Sequence, residues 1–132
     1  MTLINNKIHF ILLAAGNSTR FSKKDNKLLS KLNNKTLLDH NIDFILKQNF
    51  KKLTVVVDRK IKIDHKLKGL ELIKGGSTRQ ESVVNALTKS KYNANYVIIH
   101  DCARPLFFNQ LIKRIVGLIN TNKFDCIVPY SE

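Results

Sequence analysis

Long apolar runs are missing from this 132-residue chain. The longest, residues 8–15, falls well short of the roughly 20 residues that a helix needs to span a bilayer, and His9 interrupts it. Residues 1–7 lack the charged and then apolar layout, and the cleavage site, of a secretory signal peptide. We therefore expect a cytoplasmic protein with no membrane partner.

Cysteine is also scarce. The two cysteines, Cys102 and Cys126, stand too far apart for a C-x-x-C pair or a zinc-ligand spacing. Both are expected to be reduced and partly buried, with no redox or metal role.

Two common phosphate-binding signatures are absent. The chain contains neither G-x-x-x-x-G-K-[ST] nor G-x-G-x-x-G, which disfavours a kinase, a GTPase or a dinucleotide-dependent dehydrogenase. Internal repeats and Pro-, Gly- or Ser-rich linkers are absent as well. With 43% hydrophobic residues, the chain is expected to form a single domain over residues 1–132.

Acidic residues are few, with 10 Asp and Glu against 23 Lys and Arg, for a net charge of +13. This balance favours an acidic partner, either nucleic acid or a small phosphorylated ligand. The chain has no stripe of aromatic and arginine residues and no recognition helix. We therefore expect a phosphate ligand and no nucleic acid, with most lysines on the solvated surface.

What the chain does contain is an alternation of strand-like and helix-like apolar patterns. Strands are predicted over residues 7–14, 53–57, 70–73, 96–99 and 125–129. Helices are predicted over residues 36–46, 82–87 and 111–119, the first with Thr36 as its N-cap. A long loop is predicted over residues 15–35, and one helical turn over residues 59–69. The alternation predicts an α/β fold, a mostly parallel sheet with helices on both faces.

Three short motifs follow three of the predicted strands. They are residues 13–20 (LAAGNSTR) with Lys27, residues 75–79 (GGSTR) and residues 100–105 (HDCARP). Ligands of such sheets bind beyond the carboxyl ends of the strands, so we expect the three motifs to form one site. Small-residue loops, cations and one carboxylate are what a nucleoside triphosphate with a divalent metal requires.

The first motif suits a polyphosphate. Ala14, Ala15 and Gly16 carry little side chain, so their backbone N–H groups can approach phosphate oxygens closely. Arg20 and Lys27 add positive charge, the arginine as a fork and the lysine as a mobile point charge. The alternative is a surface turn with incidental cations.

The second motif suits a flat ring. Gly75 and Gly76 permit a tight turn, and Ser82 at the start of a helix can hydrogen-bond a base edge. The alternative is a plain strand-to-helix turn with Ser77 or Thr78 as its N-cap.

The third motif ends a buried strand in Asp101, a carboxylate that needs a partner. Mg²⁺ held together with substrate phosphates would supply one, and Arg104 is the alternative. His100 and Asp101 face opposite sides of the strand, so no His–Asp catalytic pair is expected. His100 and Cys102 share a side, but no third metal ligand is evident.

As a set, in order and in spacing, these motifs resemble the 2-C-methyl-D-erythritol 4-phosphate cytidylyltransferase family over nearly the whole chain. The resemblance implies the Rossmann-like nucleotidyltransferase fold. It also implies a Mg²⁺-dependent reaction of isoprenoid precursor biosynthesis, in which CTP and 2-C-methyl-D-erythritol 4-phosphate give CDP-methylerythritol and pyrophosphate.

Residue roles follow from the same resemblance. Arg20 and Lys27 would be catalytic, stabilising charge on the triphosphate as its α-phosphorus is attacked. Asp101 would lie by the metal, and Arg104 near the sugar-alcohol phosphate. The nucleotide-binding set would be Ala14, Ala15, Gly16, Asn17, Gly76, Ser77, Arg79 and Ser82. The attacking phosphate is already ionised, so no general base is required.

The chain departs from the family in three ways. Ser18 stands where many members have glycine, and Asn26 replaces the usual proline before Lys27, which predicts a looser lysine loop. Members also run well beyond residue 132, so we expect an incomplete domain. The further part carries a second metal-side aspartate, a substrate-positioning lysine and a dimerisation arm, so the full-length protein is expected to be a homodimer.

Two alternatives remain open. A ribitol-5-phosphate cytidylyltransferase, or another sugar-phosphate nucleotidyltransferase, would share the CTP motifs. A basic nucleic-acid-binding module is the alternative from a different class.

Overall fold

The computed structural model describes residues 2–15, 31–58, 69–104 and 109–130. In chain order the elements are α1 (Thr2–Asn5), β1 (Ile8–Ala14), β2 (Lys31–Leu32), β3 (Lys35–Thr36), α2 (Leu37–Lys47), β4 (Lys52–Val57), β5 (Leu70–Lys74), α3 (Arg79–Lys89), β6 (Tyr96–Asp101) and α4 (Asn109–Asn120).

A parallel four-stranded sheet in the order β5-β4-β1-β6 forms the centre of the structure. From β1 the chain moves outward through β4 to β5, and then returns so that β6 pairs on the opposite side of β1. In the register, Leu13 of β1 lies between Val56 of β4 and Asp101 of β6. The strand order therefore reverses at β1, and the carboxyl ends beside it form the kind of crevice where ligands of open α/β sheets bind.

The continuous apolar pattern of β1 reflects burial on both faces, since all seven of its residues are buried. Phe10 and Leu12 point into a core that includes residues of α2 and α4. Ile11 and Leu13 point to the other face, where they pack with Ala86 of α3. The prediction of a parallel sheet with helices on both faces is confirmed.

The predicted helix N-cap at Thr36 is confirmed. The Thr36 hydroxyl accepts from the backbone N–H of Asp39 at 3.1 Å, and the Asp39 carboxylate accepts from the backbone N–H of Thr36 at 3.2 Å. This reciprocal pair is a capping box, and it fixes the start of α2.

The predicted loop over residues 15–35 is partly wrong. Its last residues form the β2–β3 hairpin, whose turn residues Asn33 and Asn34 both have positive φ, 51° and 65°. A two-residue turn with positive φ at both positions matches strand twist, and asparagine tolerates that conformation better than most residues. Residues 16–30, and residues 59–68 with most of the predicted helical turn, lie outside the described part of the chain.

The predicted fifth strand over residues 125–129 is wrong. These residues have no strand geometry in the structure, and no described strand exchanges ladder hydrogen bonds with them. Ile127 packs against the larger core, whereas Val128 is 75% exposed. An apolar β-branched pattern forms a strand only where a neighbouring strand pairs with it, so the local preference was not sufficient here.

The cysteine prediction is half right. Both cysteines are free, but Cys102 is buried and Cys126 is exposed. Burial raises the pKa of the Cys102 thiol to about 12, although a hydrogen bond from Asn41 opposes this. In the described part of the chain, no helix combines the length and apolar character needed to cross a membrane.

Candidate functional site

The segments that leave β1 and β5 are in direct contact at the carboxyl edge of the sheet. A Cβ atom placed on Gly75 would lie 2.3 Å from the Cβ of Ala15 and 3.1 Å from Oγ of Ser82. The Gly75 N–H donates to the carbonyl of Val57 at 3.0 Å, which holds this close approach in place. Position 75 therefore requires glycine for lack of space, and two motifs distant in sequence meet there.

The turn into α3 is organised around the Ser82 hydroxyl. Its oxygen accepts from the Gly76 N–H at 3.0 Å, and its proton is donated to the carbonyl of Thr78 at 3.0 Å. Thr78 is the N-cap, because its hydroxyl accepts from the backbone N–H of Glu81. Ser82 is buried, and one lone pair of its oxygen remains for a further donor.

Glu81 folds back over this turn and was not predicted as a site residue. Its carboxylate accepts from the Ser77 backbone N–H at 2.7 Å and also from the Ser77 hydroxyl. These bonds from Ser77, the hydroxyl first, hold the pKa of the exposed Glu81 carboxyl below its ordinary value. The T-x-x-E spacing of Thr78 and Glu81 was the available signal, since it marks the first turn of a helix. A ligand that uses the polar groups of Ser77 must compete with Glu81 for them.

The second and third motifs are joined by an ion pair. Arg79 Nε donates to Oδ1 of Asp101 at 3.0 Å, and a guanidinium nitrogen of Arg79 lies 3.4 Å from Oδ2. The alternative prediction, that Arg104 pairs with this carboxylate, is wrong. Arg104 contributes its backbone N–H to the Asp101 carbonyl at 3.1 Å, and its side chain is exposed.

The environment of Asp101 fits one mode of Mg²⁺ binding. Among the described residues, no group of three or more His, Cys, Asp or Glu side chains is placed to hold a metal ion. Mg²⁺ often takes only one or two carboxylates and completes its shell with water and substrate phosphates. The longer 3.4 Å contact leaves Oδ2 of Asp101 the freer oxygen for such a role.

A cleft of about 600 Å³ runs along α3 from this edge of the sheet. Its volume lies within the range of small-molecule sites. Its lining comprises Ala15, Asp58, Lys74, Gly75, Gly76, Ser77, Thr78, Arg79, Glu81, Ser82, Asn85 and Lys89. Three of these residues are cationic and two are anionic, so the lining carries a net positive charge that suits an anionic ligand.

Five predicted nucleotide-binding residues lie together in that lining, namely Ala15, Gly76, Ser77, Arg79 and Ser82. Ala14 lies beside them but is buried at the end of β1. Asp101 adjoins the group through Arg79, and Arg104 does not line the cleft. The predicted residues Gly16, Asn17, Arg20 and Lys27 lie outside the described part of the chain.

Besides Glu81, four lining residues were missed by the sequence analysis. Asn85 and Lys89 stand three and seven positions after Ser82, the spacing of one helix face, and this spacing was a readable signal. Asp58 and Lys74 come at the ends of β4 and β5, on the same edge as the three motifs.

The His100 ring contacts the backbone of Arg104. Its Nε2 lies 3.0 Å from the backbone carbonyl of Arg104, to which a protonated nitrogen donates. Burial lowers the pKa of His100, and the bond to Arg104 and the charge of Asp101 oppose that shift.

Comparison with known proteins gives a consistent result. The family described as "2-C-methyl-D-erythritol 4-phosphate cytidylyltransferase" matches residues 8–129. The chain is 40% identical over 126 residues to a bifunctional IspD/IspF enzyme of Pelagibacter ubique, covering 91% of this chain and 33% of that protein. It is 33% identical over 128 residues to the 2-C-methyl-D-erythritol 4-phosphate cytidylyltransferase of Wigglesworthia glossinidia brevipalpis, covering 92% and 56%.

A solved structure shows the same fold. The bifunctional IspDF of Campylobacter jejuni superposes with a TM-score of 0.77 at 32% identity, covering 88% of this chain and 31% of that one. The predicted α/β Rossmann-like nucleotidyltransferase fold is thereby confirmed. The chain spans about a third of the length of the first of these two curated relatives and just over half of the length of the second. With the family match covering nearly all of its residues, this chain belongs to the 2-C-methyl-D-erythritol 4-phosphate cytidylyltransferase family.

Proposed function

We propose that this chain is the nucleotide-binding part of an enzyme that transfers a cytidylyl group from CTP to 2-C-methyl-D-erythritol 4-phosphate. An oxygen of the acceptor's phosphate attacks the α-phosphorus, the bond between the α-phosphorus and the bridging oxygen breaks, and pyrophosphate leaves. The observation that carries the proposal is the meeting of three distant motifs through the Ala15–Gly75 contact and the Arg79–Asp101 ion pair. Relatives at 33% identity are named for this activity.

The cleft supplies the kinds of contact that a cytidine nucleotide needs. The small residues Ala15, Gly75 and Gly76 line the cleft with backbone and at most a methyl group, and a nucleotide there would displace the Glu81 side chain that packs over Gly76. Ser82 offers one lone pair to an exocyclic amino group, and it can donate to a base carbonyl only by releasing Thr78. Asn85 adds both an amide donor and an acceptor along the same helix face.

Charge neutralisation is the main chemical requirement of the proposed reaction, because the nucleophile is already ionised. Mg²⁺ would lower the charge repulsion between the triphosphate and the incoming phosphate, and Asp101 is the described residue that would hold it. Arg79, which lines the cleft, holds that carboxylate in place through their ion pair. Arg20 and Lys27 are assigned to the triphosphate by sequence alone, together with Gly16 and Asn17.

The remaining assignments are expectations from the sequence. Arg104 is assigned to the sugar-alcohol phosphate, and its exposed side chain beside the end of β6 is compatible with a ligand outside the cleft. A homodimeric full-length protein in the cytoplasm, without nucleic acid or membrane as partner, stays a prediction.

The direct test is to measure pyrophosphate release by the full-length protein with CTP and Mg²⁺ and a single acceptor in each reaction. Turnover with 2-C-methyl-D-erythritol 4-phosphate and not with ribitol 5-phosphate is expected. Turnover with ribitol 5-phosphate alone would replace the proposed acceptor. Salt-sensitive nucleic-acid binding without any pyrophosphate release would replace the proposed class of function.

A further inference from the structure

A chain of buried and part-buried hydrogen bonds lies on the α3 face of the sheet, toward the amino ends of the strands. It joins His9 of β1, Thr54 of β4, Glu71 of β5 and Ser90, the C-cap of α3. The distances are 2.7 Å from His9 Nε2 to Thr54 Oγ1, 2.7 Å from Thr54 Oγ1 to Glu71 Oε2, and 2.6 Å from Ser90 Oγ to the same carboxylate oxygen. We call these four residues the Glu71 network.

The protons of this network have one consistent arrangement. Thr54 donates its only hydroxyl proton to Glu71, so its oxygen can only accept from His9. His9 must therefore carry its proton on Nε2. Glu71 accepts from Thr54, from Ser90 and from the backbone N–H of Lys91 at 2.9 Å, which is the pattern of an ionised carboxylate.

The bond between His9 and Thr54 is the buried part of the network. His9 is 3% exposed and Thr54 is fully buried, so their bond is made away from water. An unpaired polar group in such a place costs more than the bond itself contributes. The ring of Tyr92 packs edge-on against His9 at 5.4 Å, and its hydroxyl donates to the carbonyl of Gly69.

Through Ser90 and Lys91, Glu71 fastens the C-terminal end of α3 to the sheet. The N-terminal end of the same eleven-residue helix carries Arg79 and Ser82, which line the cleft. Between the two ends, Ala86 is the α3 residue fully buried in the smaller core. Val83 packs against the same core but is only partly buried, so two small side chains hold the middle of α3 and its orientation depends on its ends.

We propose that Glu71 is a positioning residue for the nucleotide cleft, acting through Ser90 and the last turn of α3 to set where Arg79 and Ser82 stand. This rests on the proposed nucleotide site for its effect on binding, but not for its effect on α3. It predicts that neutralising Glu71 loosens the helix and weakens the cleft without touching any cleft residue.

The charged and titratable groups around the network bear on its response to acid. Glu71 faces His9 on β1 and Lys91 on the segment after α3, while Tyr92 and Lys52 lie near His9. Burial raises the pKa of Glu71, but the bonds from Lys91, Ser90 and Thr54 outweigh it and leave the pKa below its ordinary value. Burial lowers the pKa of His9, and Lys52 reinforces this against the attraction of Glu71. The network therefore contains two groups, His9 and Glu71, whose pKa values are lowered in the folded protein.

The first variant is Glu71→Gln, which keeps the shape and removes the charge. The Lys91 N–H cannot turn away, so it will hold the new carbonyl oxygen, and the amide NH₂ will face the hydroxyls of Thr54 and Ser90. Both hydroxyls can rotate, and Thr54 would then donate to His9. The tautomer of His9 is expected to change from Nε2–H to Nδ1–H, which the ¹⁵N shifts of the imidazole report.

Amide hydrogen exchange in the absence of nucleotide measures the positioning effect. Glu71→Gln is expected to speed exchange of the Gly76 and Ser82 amides several-fold, and Ser90→Ala to do so to a smaller extent because one bond to the carboxylate is lost. CTP affinity is expected to fall in the same order. Asp43→Asn, which removes a carboxylate paired with Lys35 on the surface, is the matched control and should change none of these.

The outcomes separate the two proposals. Unchanged exchange at Gly76 and Ser82 in both variants would overturn the positioning role, whatever CTP does. A His9 ring that carries its proton on Nδ1 in the wild type would overturn the proton arrangement. If the variants show these exchange effects but the wild-type protein does not bind CTP, the proposed function would be overturned and the role of Glu71 would stay in place.

Discussion

The guanidinium of Arg79 and the carboxylate of Asp101 form an ion pair of 3.0 Å that ties the first residue of α3 to the last residue of β6. The pair passes over the end of β1, since β6 lies on one side of that strand and β4 and β5 lie on the other. It is partly exposed, so its contribution to folding stability is small, about 0–1 kcal/mol. The effect of the pair is to hold the Asp101 carboxylate beside Arg79, a cation that lines the cleft.

Asp101→Asn should separate a metal-holding role from a structural one. We expect the melting temperature to change little, because the pair is weak, and the Mg²⁺ concentration needed for half-maximal pyrophosphate release to rise. Arg79→Met should lower turnover while shifting that Mg²⁺ requirement less than Asp101→Asn does, because the carboxylate is still present. Equal, small effects of both variants on stability, with Mg²⁺ dependence unchanged, would show that the pair is structural only.

Gly75→Ala should destabilise the protein through a steric clash. The added methyl would lie 2.3 Å from the Cβ of Ala15, and overpacking of this kind costs about 1–3 kcal/mol. Gly117→Ala in α4 is the matched control, because nothing lies within 4 Å of the added atom there. In a helix interior that change is expected to stabilise by about 1 kcal/mol. Urea unfolding of both variants measures the change in the free energy of unfolding. Changes of the same sign in the two variants would contradict a steric clash as the cause at Gly75.

Arg20→Ala and Lys27→Ala test the catalytic residues assigned by sequence. Loss of a charge that stabilises the transition state is expected to lower kcat by a factor on the order of 10²–10³, with the fold intact by circular dichroism. Lys113→Ala, an exposed lysine of α4, is the control for removing a cation from a highly basic surface. Near-normal turnover in both variants would remove the assigned roles.

Stability should fall as the pH drops below the ordinary histidine pKa of 6.5. His9 has a lowered pKa in the folded protein because it is buried, so the unfolded chain binds its proton first, and unfolding is favoured as the pH falls from 6.5 toward the folded value. His100 has a shift in the same direction and adds to the slope, and Glu71 adds a further loss below its ordinary value of 4.5.

Urea midpoints measured from about pH 8 to about pH 5 test this dependence. His9→Gln retains an amide donor for Thr54 and does not titrate. It should therefore flatten the dependence of the urea midpoint on pH and leave only the part that His100 contributes. A variant with the same slope as the wild type would show that His9 does not carry the effect.

The sequence predicted the features that depend on local pattern. The unbroken apolar pattern of β1 and the Thr36 cap each needed only neighbouring residues to be recognised. The convergence of the motifs was predicted because the carboxyl ends of parallel strands share one edge. Asn33 and Asn34 carried a hairpin signal of the same local kind, which the prediction of a long loop did not use.

Features that depend on strand order were not predicted. The partner of Asp101 is Arg79, 22 residues away, because β6 pairs beside β1; the nearer Arg104 could not be excluded from spacing alone. The Glu71 network required the register of three strands and the end of α3, so none of its members stood out in the sequence. Residues 125–129 have the composition of a strand but no described strand beside them.

The tight meeting of Ala15 and Gly75 makes these two positions epistatic. Enlarging one is tolerable only if the other shrinks or its backbone retreats, so Ala15→Gly should rescue a chain that carries Gly75→Ala. As this protein's sequence drifts, the two positions are thus constrained to change together, although 60 residues separate them in the chain.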